Sequence, residues 1–176
     1  SHRELLAEVE AGLEHDEFEP WYQPIVRPSD GALAKVEALV RWRHPTRGVL
    51  PPAAFLGYIE ESPIIARLDH RMLELAAAHV AALRAGPLPS LELSVNISAR
   101  EIDSDSLPAR VANVLAASGL PAHALWLEVT ETAVVDDLAL AVSSLERLRA
   151  IGVRIALDDF GTGFANLVQL RALPIQ

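Results

Sequence analysis

A rhythm in the sequence constrains this fold more than any single motif. Apolar runs of strand length recur along the chain, each with an oxygen-bearing side chain at or near its C-terminal end. Asn96 and Glu128 are 32 residues apart, and Glu128 and Asp158 are 30 apart. A strand–helix–strand unit needs about 30 residues, so one such group recurs per unit. Glu37 precedes Asn96 by 59 residues, room for two helical segments, and Asp159 follows Asp158 directly. Helical patterns fill all three gaps, which predicts parallel strands connected by helices.

Side chains along a strand alternate faces with period two, so parity says which groups look the same way. In Lys35–Trp42, one face carries Lys35, Glu37, Leu39 and Arg41, while the other is apolar. In Leu91–Ile97, Leu91, Leu93, Val95 and Ile97 oppose Glu92, Ser94 and Asn96. In Leu125–Thr130, Glu128 shares a face with Trp126 and Thr130, against Leu127 and Val129. Val153–Leu157 runs straight into Asp158-Asp159-Phe160-Gly161-Thr162-Gly163.

Elsewhere the chain reads as follows. Arg3 to about Glu14 carries Leu5, Leu6, Val9 and Leu13 at helical spacing and predicts an amphipathic lead-in helix. Trp21–Val26 predicts a short strand, confined by Pro24 to an edge or bulge. Pro28-Ser29-Asp30-Gly31 is a turn too short for a crossover, so the first two strands are predicted to be antiparallel neighbours. Pro51–Phe55 opens a short helix, and Ser62-Pro63 reads as N-cap and first turn of a longer one. The stripe Leu68, Met72, Leu75, His79 and Leu83 lies behind that cap, with His79 expected at the core boundary. Further helices are predicted from about Leu107 to Gly119 and from about Asp137 to Gly152. The count is five strands and at least five helical segments.

A hydrophobic fraction of 51% with 22% charged residues over 176 positions suits one domain with a substantial core. The net charge of −9 argues against nonspecific binding to a nucleic-acid polymer. No apolar run approaches membrane-spanning length, and no leader is visible, so no membrane contact is expected from this segment. The absence of cysteine excludes disulfides, thiolate metal sites and cysteine nucleophiles. Six histidines without ligand spacing argue against a histidine-based zinc site. Arg41, Arg43, His44 and Arg47 form a basic cluster that an anionic ligand could use, although Arg43 and Arg47 read better as part of a solvated loop.

Carboxylates plus an amide oxygen make a hard-ligand set suited to Mg²⁺ or Mn²⁺. Adjacent Asp158 and Asp159 could serve two ions, the usual device for in-line displacement at phosphorus, so phosphodiester hydrolysis is the inferred reaction class. Each residue also has a structural alternative. Glu37 could pair with Lys35 or Arg41, Asn96 could satisfy a turn, and Asp158-Asp159 could cap a helix. Convergence of all five is what favours a metal. A metal-free hydrolase using Glu37 and Glu128 as an acid–base pair would leave Asp158-Asp159 without a role.

The motifs together resemble the EAL domains, bacterial phosphodiesterases that cleave cyclic di-GMP. The resemblance rests on Glu37-Ala38-Leu39-Val40-Arg41-Trp42, Tyr22-Gln23-Pro24-Ile25-Val26, Ser94-Val95-Asn96-Ile97-Ser98, Glu128-Val129-Thr130-Glu131 and Asp158-Asp159-Phe160-Gly161-Thr162-Gly163, and covers essentially the whole chain. It implies an α/β fold, a TIM-like (β/α) barrel with an antiparallel first strand. It implies that Glu37, Asn96, Glu128, Asp158 and Asp159 ligate two Mg²⁺ or Mn²⁺ ions at the barrel's C-terminal face. Gln23, Leu39 and Arg41 match positions that contact the cyclic dinucleotide, Arg41 on a phosphate, and Glu131 matches the residue that steadies the loop after Asp159. Glu37, Asp158, Asp159 and Glu131 are thus the expected catalytic residues.

The chain departs from the family pattern at Phe164-Ala165-Asn166, in place of Tyr-Ser-Ser, and at Ser62-Pro63, in place of Thr-Gly. A (β/α)₈ barrel takes about 250 residues, and the family's water-associated lysine lies just beyond the position of Ile175. Residues 1–176 are therefore expected to be the N-terminal part of an EAL domain, about five of eight strands, with residues 1–19 as lead-in. The resemblance implies metal-dependent hydrolysis of cyclic di-GMP to linear pGpG by the intact domain. It also admits a catalytically inactive receptor or interaction module, dimerisation through EAL domains, fusion to other signalling domains and a cytoplasmic location.

Overall fold

A computed structural model describes residues 1–102, 104–130 and 138–158, and of residues 99, 100, 130, 138, 157 and 158 the backbone. Helix α1 (His2–Glu14) starts on a capping box, in which Ser1 Oγ accepts from the Glu4 N–H and the Glu4 carboxylate reaches back to the Ser1 amine. Strands β1 (Phe18–Val26) and β2 (Leu33–His44) form the expected antiparallel hairpin, turning where Gly31 adopts φ 68°. Strand β1 starts earlier than predicted, so Phe18 and Glu19 belong to the sheet and not to the lead-in. It tolerates both Pro20 and Pro24 because, among the described residues, it pairs with β2 alone, at the edge of the sheet.

A short strand β3 (Gly48–Leu50) folds back on β2, so the described residues hold six strands rather than five. After a 3₁₀ turn (Pro52–Ala54) come α2 (Leu56–Ile59) and α3 (Ile64–Arg84). Then follow β4 (Glu92–Ile97), α4 (Ala99–Ile102), α5 (Leu107–Ser118), β5 (Leu125–Thr130), α6 (Leu138–Ile151) and β6 (Arg154–Asp158). Helix α5 ends as predicted, with Gly119 in the left-handed region at φ 78°. The predicted start of the last helix, at Asp137, lies outside the described residues.

The sheet runs β1-β2-β4-β5-β6, antiparallel at its first pair and parallel through β2, β4, β5 and β6. Helices cover one face. There Val36, Ala38, Leu93, Val95, Leu127, Val129 and Ile155 join Leu73, Ala76, Val80, Val111, Leu145 and Leu148 in one core. Burial of each aliphatic side chain stabilises by about 1.5–3 kcal/mol before entropic costs. A second cluster closes the N-terminal end around Phe18, Trp42 and Phe55, whose ring centroids lie 5.1–5.6 Å apart. Gly12 makes that approach feasible, because a Cβ there would sit 2.9 Å from Phe18 and Glu17 and 3.0 Å from Trp42.

Two helix expectations shift. Helix α3 begins at Ile64, one turn position later, and Ser62 Oγ accepts from the Ile64 N–H at 3.3 Å. Its buried line runs through Ile65, Leu68, Met72, Leu73, Ala76, Ala77 and Val80, while His79 is exposed and Leu83 is 38% exposed. The predicted stripe, stepping by four, three, four and four residues, keeps within about 80° of arc, and the buried line is centred about 70° further round the helix. His79 is therefore exposed rather than the core or boundary residue expected, with Nδ1 2.6 Å from the Tyr22 hydroxyl.

Candidate active site

The face of the sheet opposite the helices carries the polar parity set. Lys35, Glu37, Leu39, Arg41, Asn96, Trp126 and Glu128 are all part-buried on it, and Gln23 at the edge is exposed. Glu37 faces Gln23 across the hairpin and Ser94 across the parallel pair. Asn96 pairs with Glu128.

The sequence-predicted ligands climb the register in one sense. Glu37 is level with Ser94, so Asn96 stands two residues further on. Glu128 is level with Asn96, and Asp158 stands two beyond Ala156, the partner of Glu128. Parity allows only even steps, and the steps of two, zero and two average close to one residue per strand. A barrel of eight strands with shear eight needs about one residue per strand to stay at one height. The four backbone positions thus come to one level at the C-terminal end of the strands.

Ser94 is fully buried on this inner face and donates its hydroxyl to Glu128 Oε1. That bond orients the Glu128 carboxylate without neutralising it, because a hydroxyl is an uncharged donor. Beneath lies a floor the motif reading missed. Trp126 Nε1 donates to Glu92 Oε2 at 2.9 Å, and Arg154 reaches the same oxygen at 3.4 Å. The Lys35 ammonium sits 4.3 Å and the Arg154 guanidinium 5.2 Å from the centre of the Trp126 ring. Parity carried the signal for this floor, since Lys35, Glu92 and Trp126 share the face of the ligands.

The basic cluster divides. Arg41 stays at the mouth of the inner face, 5.3 Å from the Trp21 ring, and donates to the Val40 carbonyl at 2.9 Å. Arg43 pairs with Glu19 at 2.7 Å and Arg47 with Glu8, so these two serve the surface, while the largely buried His44 packs on the Trp42 ring with Nε2 3.3 Å from Glu8. Burial and the Arg43 bond act oppositely on Glu19, and the bond dominates, holding its carboxyl below the ordinary range. Asp159 and Glu131 lie outside the described residues, as does the side chain of Asp158. Among the described residues no three His, Cys, Asp or Glu side chains form a metal-sized group. Of the predicted carboxylates only Glu37 and Glu128 are described with their side chains, and Asn96 supplies an amide oxygen.

The family model described as EAL domain matches residues 6–176. The cyclic di-GMP phosphodiesterase NbdA of Pseudomonas aeruginosa is 40% identical over 172 residues, covering 98% of this chain and 22% of NbdA. The chain thus spans about a fifth of the length of the first curated relatives it matches. The solved PaMucR phosphodiesterase, in complex with c-di-GMP, superposes with a TM-score of 0.90 at 34% identity, over 98% of this chain and 70% of that one. The EAL enzyme Bd1971, in its cAMP and cyclic-di-GMP bound form, gives 0.92 at 28% identity over 99% and 48%. The mixed sheet, its helical cover and the staggered oxygen set on its inner face are thus those of a TIM-like barrel, and this chain belongs to the EAL domain family.

Proposed function

We propose that the intact protein hydrolyses cyclic di-GMP to linear pGpG with divalent metal ions, and that residues 1–176 contribute the metal-binding part of the site. The observation that carries this reading is the stagger that brings Glu37, Asn96, Glu128 and Asp158 to one level. NbdA, a phosphodiesterase by name, and the c-di-GMP complex of PaMucR support the substrate class.

The donor set fits a hard divalent cation, since every candidate ligand offers oxygen and none offers sulfur or imidazole. Glu37, Asn96, Glu128, Asp158 and Asp159 would hold Mg²⁺ or Mn²⁺, as two ions. Ions bound there supply phosphate charge neutralisation and make water more acidic. The chain's own residues orient the reactants. Ser94 fixes the Glu128 carboxylate. Arg41, held at the mouth by Trp21 and the Val40 carbonyl, brings a cation to a substrate phosphate, and Gln23 and Leu39 line the approach. Glu131 steadies the loop after Asp159. In the net reaction one water adds across one P–O3′ bond. Its hydroxyl goes to phosphorus and its proton to the released 3′ oxygen.

The short share of the curated relatives supports a signalling protein in which this domain is fused to others. The test is to incubate the full-length protein with cyclic di-GMP and Mg²⁺ or Mn²⁺ and resolve the products by chromatography. Linear pGpG is expected. Tight binding of cyclic di-GMP without product under either metal would instead make the protein a receptor.

A further inference from the structure

Directly behind β4, on the helix side of the sheet, lies a polar cluster with no part in the proposed chemistry. Asp69 on α3 accepts the Ser98 backbone N–H at 3.2 Å. Its carboxyl is also hydrogen-bonded to that of Glu101 on α4, which is 3% exposed. Arg110 on α5 donates to Glu101 Oε1 at 3.3 Å. Asp69, Glu101 and Arg110, with His70, Leu73 and Asn96, line a cavity of about 20 Å³, room for little more than one water. Ser98 is the first residue after β4 and stands two positions beyond Asn96.

We propose that Asp69 and Glu101 form a positioning pair that sets the Ser98 turn and, through it, the Asn96 carboxamide on the opposite face. The inference rests on the metal-site reading above. A strand end leaves its next N–H without a ladder partner, and a buried N–H must be satisfied. Asp69 takes that role from a helix that is itself locked into the core by Leu68, Met72 and Leu73. The turn is therefore tied to α3 rather than left to its own residues.

Two carboxyls in contact hold one proton between them. Burial first, then the charge and hydrogen bond of Asp69, push the Glu101 carboxyl up to about 10, against the opposing pull of Arg110. Asp69 retains some exposed surface, yet burial of its carboxyl raises it as well. Burial thus raises both carboxyls, and Asp69 is the acceptor of the Ser98 N–H. The other ionisable groups at this cluster are Arg110 and His70, which pairs with Glu74 at 3.1 Å.

The test compares the full-length wild type with Asp69→Ala, Asp69→Leu and Glu101→Gln by Mn²⁺ calorimetric titration without substrate and by cyclic di-GMP turnover. Circular dichroism checks the fold of each. The Asp69 variants are expected to bind Mn²⁺ about 10-fold more weakly and to lose kcat with KM within about twofold, the usual scale for groups that orient a ligand. Glu101→Gln keeps an N–H donor for Asp69 and is expected to bind Mn²⁺ within about twofold of wild type. Asp69→Leu keeps about the same side-chain volume without an acceptor for the Ser98 N–H, so it carries the comparison if Asp69→Ala does not fold. Wild-type Mn²⁺ affinity in a folded Asp69 variant overturns the proposal. A wild type that binds Mn²⁺ but never turns over cyclic di-GMP overturns the functional reading instead, and the affinity comparison still decides the positioning role.

Discussion

Two pairs of carboxyls flank the end of β4, one on each face of the sheet, and the fold holds them in opposite ways. On the inner face, Glu128 is oriented by a neutral hydroxyl from Ser94, and Glu37 stands in the same staggered row. On the helix face, Asp69 and Glu101 share a proton, and Glu101 also meets Arg110. The acid proposed to hold a cation is oriented by an uncharged donor. An acid kept for architecture is satisfied internally, because a buried unpaired charge costs several kcal/mol.

The largest expected effect comes from the inner pair. Glu128→Gln should lower cyclic di-GMP turnover by about 10³-fold or more, since several kcal/mol of charge stabilisation depend on the ligands. Steady-state assays at saturating Mn²⁺ check it, and activity within tenfold would remove Glu128 from the ligand set. Ser94→Ala should cost less, about 10-fold, because the carboxylate stays but loses its orienting donor. Equal losses for Ser94→Ala and Glu128→Gln would break the distinction between orienting and ligating groups.

The helix-face pair should show in stability more than in chemistry. The folded state holds the Glu101 proton up to a pH of about 10, while the unfolded chain releases it near 4.5. Its stabilising contribution is therefore complete below about pH 4.5 and is lost as pH rises toward 10. Unfolding free energy from this group should fall by of order 1 kcal/mol per pH unit across that window. Urea denaturation of Glu101→Gln should show a flatter pH profile than wild type. Parallel profiles would mean that Glu101 carries no proton of its own.

The sequence made the inner face legible because strand parity is rigid. Glu37, Asn96 and Glu128 could be placed on one side from alternation alone, and the structure keeps them there. Strand β3 escaped because three residues are too few to alternate, and only the Gly48 turn at φ 74° betrays the fold-back. The first three residues of β1 escaped because Pro20 argues against a strand unless its edge position is known. Asp69 and Glu101 come together only when α3 and α4 dock, and no spacing links them. A signal for Asp69 did exist. It sits four residues after Ile65 and four before Leu73, both buried, so a charge stood on an apolar stripe. Glu131, Asp159 and the Asp158 side chain lie outside the described residues and stay proposals.

The central claim is that the oxygens on the inner face hold divalent metal, and anomalous diffraction from Mn²⁺-soaked crystals of the full-length protein tests it most directly. The account predicts anomalous density about 2 Å from oxygens of Glu37, Asn96 and Glu128. Density elsewhere, or none at this row under saturating Mn²⁺, would contradict it.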